Sequence, residues 1–247
     1  MDFTIKQYQS LIGTLKTQTY LFQTFESSLK HINKRAIILR HDVDLLPRNS
    51  LRFAQIQANL NIKGSYYFRA VPESWDEQII KEIANLGHEV GYHYETMDTT
   101  NGDIDKAWDQ FRTHLDELRK LTDVETICMH GSPRSKYDNK QLWVKYDYKT
   151  LGLIGEPYFD IDFSKVGYLT DTGRQWNGNK VSIRDKVNSS FNFNFRSTQD
   201  IIRSVNQLPD QIMFTFHPQR WNDNWFLWTK ELVLQNVKNQ VKRILIR

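Results

Sequence analysis

Two acidic residues near the start of this sequence have the type and spacing for hydrolytic chemistry. Asp42 and Asp44 lie two residues apart, just after the apolar run Ile37-Ile38-Leu39. Alternate residues of an extended segment share a face, so both carboxylates can point to one place. Two carboxylates in a small space do not both ionise cheaply unless a cation or an arginine lies between them. We interpret the pair as one metal ligand and one general base; a pair that only caps a loop is the alternative.

Three histidines occupy similar positions along the chain. His93 lies in the third apolar run, His130 directly follows the fourth, and His217 directly follows the last. A neutral imidazole is a good zinc ligand, which suits His93. Imidazole also titrates near neutral pH, which suits His217 as a general acid. For His130 we keep three roles open: metal ligand, group that orients the base, or substrate contact.

Other polar residues near these positions are assigned by geometry. His88 precedes His93 by five residues, which is roughly 16 Å of strand at about 3.3 Å per residue. We therefore predict a structural role for His88 near the opposite end of the strand. Glu95, two residues after His93, can reach the same face as His93. We expect His114 and His31 to be structural or on the surface.

Short apolar runs alternate with helical patterns along the whole chain, which implies a parallel sheet. The runs predicted to be strands are Ala36 to Leu39, Ser65 to Phe68, Glu89 to Tyr94, Thr126 to Met129, Leu151 to Ile154, Val166 to Thr170 and Ile212 to Phe216. Seven such units in one chain predict an α/β fold with a closed or nearly closed barrel. The active site of such a barrel is built at the carboxyl ends of its strands, where these polar residues cluster.

Between the predicted strands, apolar residues recur at helical spacing, which predicts amphipathic helices. One stripe runs from Ile104 to Leu118, and Leu234, Val237 and the residues after them form a similar stripe at the C-terminal end. We predict one domain over residues 1–247, in which residues 1–30 are a helical N-terminal extension packed on the barrel.

Composition narrows the class of protein. The 33 Lys and Arg against 29 Asp and Glu give a net charge of +4, and the basic residues are scattered, which favours a solvated surface over a nucleic-acid partner. One cysteine, Cys128, excludes an intramolecular disulfide and a Cys-rich zinc site. We expect a cytoplasmic protein with no transmembrane segment, since neither a leader pattern nor a long apolar stretch is present.

The order of these motifs resembles the polysaccharide deacetylase family, carbohydrate esterase family 4. The segments that carry the resemblance are Leu39-Arg40-His41-Asp42-Val43-Asp44, Gly87-His88-Glu89-Val90-Gly91-Tyr92-His93 and Phe214-Thr215-Phe216-His217-Pro218. The resemblance implies a distorted (β/α) barrel of about seven parallel strands. It also implies hydrolysis of an acetyl group from a sugar, with a divalent metal, expected to be zinc, held by an Asp-His-His set.

The resemblance also implies a role for each matching residue. Asp42 matches the base and Asp44 the metal-binding Asp of the family, while His93 matches the first metal His and His217 the catalytic acid. The second metal His should come four residues after His93, where this chain has Met97, whose thioether is a poor ligand for such an ion.

The missing ligand has two candidates. We predict that His130, rather than Glu95, is the third metal ligand, because a neutral His restores the charge balance of the family's set. A site that works without metal is the alternative, because some members of this superfamily hydrolyse cyclic amides without one.

Four residues are predicted to bind substrate. Ser132-Pro133 and the nearby Tyr137 resemble the family's loop that binds the reacting oxygen. Arg134 lies near the position of the arginine that pairs with the base in the family. Asp171 and Trp176 resemble the family's acidic-aromatic motif. Rings such as Trp176, Trp221 and Trp225 are interpreted either as stacking surfaces for sugars or as core.

These features predict a hydrolase that removes an acetyl or similar acyl group from an amino sugar or glycan precursor. Its substrate would be a carbohydrate, either soluble or linked to a nucleotide or a lipid. The alternatives are a metal-independent amidohydrolase for a small cyclic amide and a catalytically inactive carbohydrate-binding barrel.

Overall fold

A computed structural model describes residues 1–132, 135–176 and 187–245, with only the backbone for 241–245. The strands are β1 (Leu21–Gln23), β2 (Ala36–Val43), β3 (Ser65–Phe68), β4 (Glu89–Tyr94), β5 (Ile127–Met129), β6 (Gly167–Thr170) and β7 (Gln211–Phe216). The helices are α1 (Ile5–Thr17), α2 (Phe25–Lys30), α3 (Pro47–Asn59), α4 (Glu77–Asn85), α5 (Thr96–Thr99), α6 (Ile104–Arg119), α7 (Pro157–Asp160), α8 (Thr198–Arg203) and α9 (Trp225–Leu245). Short 3₁₀ turns occur at Asn139–Val144, Tyr148–Leu151, Thr172–Arg174, Val205–Gln207 and Pro218–Arg220.

The described strands form one parallel sheet. Its order is β5-β4-β3-β2-β7-β6, and β1 pairs with the first residues of β2, before β3 joins that strand. In the described ranges β5 and β6 do not pair with each other, so the barrel is open between them. The predicted distorted (β/α) barrel of about seven parallel strands is confirmed.

The two-residue period of the strands divides the core into two clusters. The cluster inside the barrel consists of Phe25, Ile38, Tyr67, Cys128, Phe163, Val166 and Met213. Neighbouring residues such as Leu39, Tyr66 and Phe214 turn the other way and join the larger cluster beneath the helices. Counting onward in twos from Ile38 reaches Arg40 and Asp42, which therefore also face the barrel interior.

The predicted strand boundaries need three corrections. Leu151 to Ile154 is not a strand: Gly152 adopts a left-handed φ of 73°, and only Gly155 makes a bridge, to Thr126. β1 was missed because three residues are too short for a periodic signal. β2 continues to Val43, four residues beyond its predicted end at Leu39, so Asp42 lies within the strand and Asp44 just after it.

The helices differ in how they use their apolar stripes. α6 packs with Ala107, Phe111, Leu115 and Leu118 buried, as its stripe predicts. The last helix, α9, instead leaves its predicted apolar stripe at the surface, because Leu234 and Val237 are 44% and 59% exposed. Among the described residues, no helix combines the length and the hydropathy needed to cross a membrane.

Gly91 tests the packing inside the barrel. A Cβ at this position would lie 2.5 Å from a ring carbon of Tyr67 and 2.7 Å from the carbonyl oxygen of Thr126. We expect Gly91→Ala to lower the free energy of unfolding by about 1–3 kcal/mol, the usual effect of overpacking. Urea denaturation followed by circular dichroism measures this value.

The matched control is Gly13→Ala, on helix α1, where a Cβ would meet no atom within 4 Å. This change should stabilise the protein by up to about 1 kcal/mol, because alanine favours the helix. Equal urea midpoints for Gly91→Ala and the wild type would contradict the described packing.

Candidate active site

A buried ion pair occupies the interior of the barrel near its mouth. The Nε and Nη2 atoms of Arg40 donate to the two carboxylate oxygens of Asp42 at 2.8 and 2.7 Å. Both side chains are almost fully buried. They lie two residues apart on β2, so the same alternation that turns Asp42 inward also turns Arg40 inward. The pair is bidentate, which fixes the plane of the carboxylate.

Arg40 keeps Asp42 ionised. Burial alone would raise the pKa of Asp42, but the charge and hydrogen bonds of Arg40, with His93 and His217 nearby, lower it below its ordinary value. Arg40 Nη2 also donates to the Tyr158 hydroxyl at 3.2 Å. Asp42 is therefore a carboxylate at neutral pH and lies in a defined orientation.

Asp44 lies between two imidazoles. Its Oδ1 atom is 3.6 Å from Nε2 of His93 and 3.7 Å from Nε2 of His130. Oδ2 accepts a hydrogen bond from Gln219 at 2.9 Å, whereas Oδ1 is buried and has no hydrogen-bond partner. His93 Nδ1 lies 2.9 Å from the Cys128 carbonyl oxygen and donates to it, which leaves Nε2 as the ring nitrogen that faces Asp44.

Glu95 holds His130 from the other side. Nδ1 of His130 lies 2.8 Å from Glu95 Oε2, and Arg69 donates three hydrogen bonds of 2.8–3.0 Å to the same carboxylate. Burial opposes ionisation of Glu95, but His130 and Arg69 lower its pKa to about 2. Glu95 is thus directed at Nδ1 of His130, and the Nε2 atom of His130 is the one that faces Asp44.

These three residues fit a divalent metal ion. One ligand atom from each of Asp44, His93 and His130 lies within 4.8 Å of the other two. Tetrahedral ligands of zinc are about 3.4 Å apart at bond lengths near 2.1 Å. The unpartnered buried Oδ1 of Asp44 is the atom that such an ion would satisfy, and both imidazoles carry the hydrogen bond on Nδ1 that is usual for ligating histidines.

In a second group, Asp42, His93 and Cys128, one ligand atom of each residue also lies within 4.8 Å of the other two. Both oxygens of Asp42 already accept hydrogen bonds from Arg40, which makes this carboxylate the less suitable ligand. The position four residues after His93 contributes no ligand, because the Met97 side chain is buried in the hydrophobic core.

His217 approaches Asp42 from β7. Its Nε2 atom is 3.9 Å from Oδ2 of Asp42, and its Nδ1 atom is 2.5 Å from Oδ1 of Asp171. Asp171 is fully buried and also accepts hydrogen bonds from the His217 backbone N–H, Arg220 and Trp221. Burial would raise the pKa of Asp171, but these partners, His217 first, lower it. An ionised Asp171 thus fixes the ring of His217 with Nε2 toward Asp42.

The predicted substrate residues fall in different environments. Tyr137 lines a cleft of about 480 Å³ that reaches His130. Arg134 lies outside the described residues. Trp176 is buried, donates to Thr198 and packs in the core, and Asp171 is enclosed as above, so neither presents a surface to a cleft. Direct substrate contact by these two side chains stays a prediction, which their burial disfavours.

The tryptophans that were considered as stacking surfaces for sugars divide into buried and exposed residues. Trp221 is fully buried, packs in the hydrophobic core and donates to Asp171, whereas Trp225 is exposed at the start of α9. The core interpretation therefore applies to Trp176 and Trp221.

Residues that contact the site without a predicted role include Arg40, Arg69 and Gln219. Arg40 alternates with Asp42 and Asp44 and could have been found from that spacing. Arg69 directly follows β3, a strand end that carries the same signal as the others. Gln219 has no such signal, because it reaches Asp44 from a 3₁₀ turn whose direction the sequence does not show.

No protein-family model matches this chain, and no curated protein matches it in sequence. Solved structures that resemble it include members of carbohydrate esterase family 4. A CE4 family pseudoenzyme from Bacillus anthracis is 16% identical with a TM-score of 0.49, over 86% of this chain and 63% of that one. This chain therefore spans a little under two thirds of the length of that protein.

Two further structures resemble the chain over most of their length. A family 4 carbohydrate esterase from Bacillus anthracis is 10% identical, with a TM-score of 0.46, and the match covers 97% of this chain and 89% of that one. PdaA from Bacillus subtilis, a family 4 carbohydrate esterase, is 17% identical, with a TM-score of 0.44, over 94% and 84%. At these identities the likenesses concern the fold.

The ion pair of Arg40 and Asp42 gives a prediction on stability. Arg40→Met leaves a buried carboxylate without its cation, which should lower the free energy of unfolding near neutral pH by about 3–5 kcal/mol. The double variant Arg40→Met with Asp42→Asn removes that charge and should lose less than the sum of the two single changes. Urea denaturation of the four proteins measures the coupling.

The pH dependence has a defined sign. In the wild type the lowered pKa of Asp42 contributes stability above its unfolded value of 3.8, and this contribution is lost as the pH falls through the folded pKa. Without Arg40 the buried carboxyl becomes easier to protonate, so the deficit of Arg40→Met should shrink in acid. Additive single changes, or a deficit that grows in acid, would show that the pair is not coupled.

Proposed function

We propose that this chain is a divergent polysaccharide-deacetylase-like hydrolase that removes an acetyl group from an amino sugar. The observation that carries the proposal is the position of Asp42, whose Oδ2 atom lies 3.9 Å from Nε2 of both His93 and His217. A carboxylate base, a histidine acid and a set of metal ligands thus converge on one mouth. The motif order of the sequence and the parallel barrel agree with this assignment.

Asp44, His93 and His130 are the proposed ligands of a divalent ion, with zinc as the first choice for two nitrogens and one oxygen. Such an ion, when bound, supplies a Lewis acid next to the scissile carbonyl. The protein contributes the orientation of its ligands: the Cys128 carbonyl holds His93, and Glu95 with Arg69 holds His130. Gln219 holds the second oxygen of Asp44.

Asp42 is the proposed general base. Its carboxylate is ionised, and each oxygen has a lone pair beyond the one that accepts from Arg40. Arg40 orients the carboxylate and stabilises its negative charge, so it acts as a positioning residue. In the family that the sequence resembles, the arginine that pairs with the base is expected near Arg134. In this chain Arg40, two residues before the base, can supply the same interaction.

His217 is the proposed general acid. Its Nδ1–H donates to the ionised Asp171, so the proton that is transferred is on Nε2, the nitrogen that faces Asp42. We assign Asp171 a positioning role in place of the predicted substrate contact, because its oxygens are occupied by His217, Arg220 and Trp221.

The proton balance of the hydrolysis follows from this geometry. Asp42 accepts a proton from water as the water oxygen forms a bond to the acetyl carbon. His217 then donates its Nε2 proton to the sugar nitrogen as the carbon–nitrogen bond breaks. Acetate and a free amino sugar leave, and proton exchange with solvent restores both side chains.

The cleft beside His130 supports a hydroxyl-rich substrate. Its volume of about 480 Å³ is in the range of small-ligand sites. Its lining is polar and includes Arg69, Asn101, Ser132, Lys136 and Tyr137. With Trp176 and Trp221 buried, we expect hydrogen bonds to the sugar hydroxyls, with Tyr137 as the aromatic contact.

Acetate release tests the proposed reaction. The protein would be incubated with acetylated amino sugars in free, nucleotide-linked and lipid-linked form, with and without added zinc. On any substrate that is turned over, Asp42→Asn and His217→Ala should each lose about 10² to 10⁴ in rate, since a positioned base or acid contributes that much.

His114→Ala is the control, because His114 lies on α6, contacts the Tyr92 hydroxyl and has no proposed part in the reaction or in metal binding. It should keep the wild-type rate. Folded Asp42→Asn with near wild-type turnover would remove Asp42 as the base, and turnover that is equal without metal would favour the metal-independent amidohydrolase.

Metal binding gives a separate prediction that does not depend on a substrate. We expect about one zinc ion per chain after reconstitution and dialysis, and a large loss of bound zinc in Asp44→Ala and in His130→Ala, because each removes one of three ligands. Elemental analysis with circular dichroism measures both occupancy and folding.

Met97→Leu serves as the matched control, because Met97 occupies the family's ligand position while its side chain is in the core. This variant should bind zinc as the wild type does. If His130→Ala keeps full occupancy, then His130 is not the third ligand.

A further inference from the structure

The helix α9 presents an apolar face to solvent. Trp225 and Phe226, at its start, are 67% and 68% exposed, and Leu227, Val233, Leu234 and Val237 are also exposed. Along a helix of 3.6 residues per turn, Phe226, Val233 and Val237 fall on one side, with Leu234 beside them. Phe226, Val233, Leu234 and Val237 form the exposed stripe of α9, and Trp225 and Leu227 flank Phe226 at the start of the helix.

The opposite side of the helix contacts the protein through polar groups. Asn239 Nδ2 donates to the Gly173 carbonyl oxygen at 2.9 Å, and Arg174 donates to the Trp228 carbonyl oxygen at 3.0 Å. Asn239 and Gln235 are buried there. A helix that packs on a core ordinarily buries its apolar side, so α9 has the reverse arrangement. The exposed stripe therefore points away from the barrel, where a flat surface can reach it.

The charges of α9 identify what this surface would bind. Its sequence has four basic residues, Lys230, Lys238, Lys242 and Arg243, and one acidic residue, Glu231. Lys230 and Lys238 are exposed, whereas Glu231 is partly buried and accepts a hydrogen bond from Gln235 on the docked side. An apolar stripe with lysines within and beside it, and with aromatic rings at one end, matches helices that lie on anionic membranes.

A second copy of the chain fits this surface less well. In a symmetric pair the same surface meets itself, so Lys230 and Lys238 of both copies would lie at one interface. Within α9, Glu231 is the acidic residue that could offset them, and its carboxylate is partly buried and accepts a hydrogen bond from Gln235 of the same helix. Anionic headgroups, by contrast, complement the lysines while their aliphatic stems remain on the apolar surface.

We propose that α9 docks the protein on an anionic lipid surface through its exposed stripe. The helix would lie in the plane of the membrane, with Trp225, Phe226 and the valines in the headgroup region and the lysines against the phosphates. This proposal concerns a surface outside the candidate active site, and it holds whether or not the acetyl hydrolysis is correct.

Vesicle co-sedimentation of the full chain tests the proposal. The protein should bind vesicles of phosphatidylcholine that contain about one third phosphatidylglycerol, and at least about tenfold more weakly to phosphatidylcholine alone. Val233→Ser with Val237→Ser should weaken binding by at least about tenfold, because it removes apolar surface from the contact. Lys230→Ala and Lys238→Ala should each weaken it by roughly fivefold, and added salt should do the same.

The control is Val144→Ser, which removes an apolar side chain that is 86% exposed outside α9. It should leave binding unchanged. The proposal is overturned if the protein does not bind anionic vesicles, or if the serine variant binds as well as the wild type. It is also overturned if light scattering shows a dimer that the serine variant converts to a monomer, since a second copy would then cover the stripe.

Discussion

A charge inside a protein is stable only when an opposite charge and hydrogen bonds replace the water that it has lost. In this chain the bidentate pair of Arg40 and Asp42 meets that condition in the barrel interior. Because the pair fixes the plane of the carboxylate, the approach of His93 and His217 to its Oδ2 atom is defined as well. The geometry of the mouth thus depends on one ion pair formed within a single strand.

The other polar side chains of the mouth are held in the same manner, each by a partner one step farther from the centre. Asp171 holds His217, Glu95 holds His130, and the Cys128 carbonyl holds His93. Asp171 and Glu95 are themselves held by arginines, Arg220 and Arg69 respectively. The carboxylates of Asp42, Glu95 and Asp171 thus each have an arginine neighbour, and each of the three imidazoles has a defined donor nitrogen.

The sequence could predict the parts of this arrangement that follow a period or a strand end. Asp42, Asp44, His93, His130 and His217 all occupy such positions, and the structure brings their side chains together. Contacts made across the fold could not be predicted in this way. Gln219 reaches Asp44 from a turn. Asp171 follows strand β6, as the other residues follow their strands, but its side chain turns inward to His217 at the end of β7. The direction of α9 was also beyond the pattern, because an apolar stripe shows that a helix has two faces and does not show which one meets the barrel.

The two-residue alternation of β2 also limits how this protein can evolve. Arg40 and Asp42 face the interior, while His41 between them packs in the outer layer against Tyr66 and Phe216. Insertion or deletion of one residue within the strand would exchange these faces, which would place the ion pair among aromatic rings and an imidazole in the barrel. Changes in the length of β2 are therefore expected to survive in homologues only in steps of two residues, or where a bulge absorbs the odd residue.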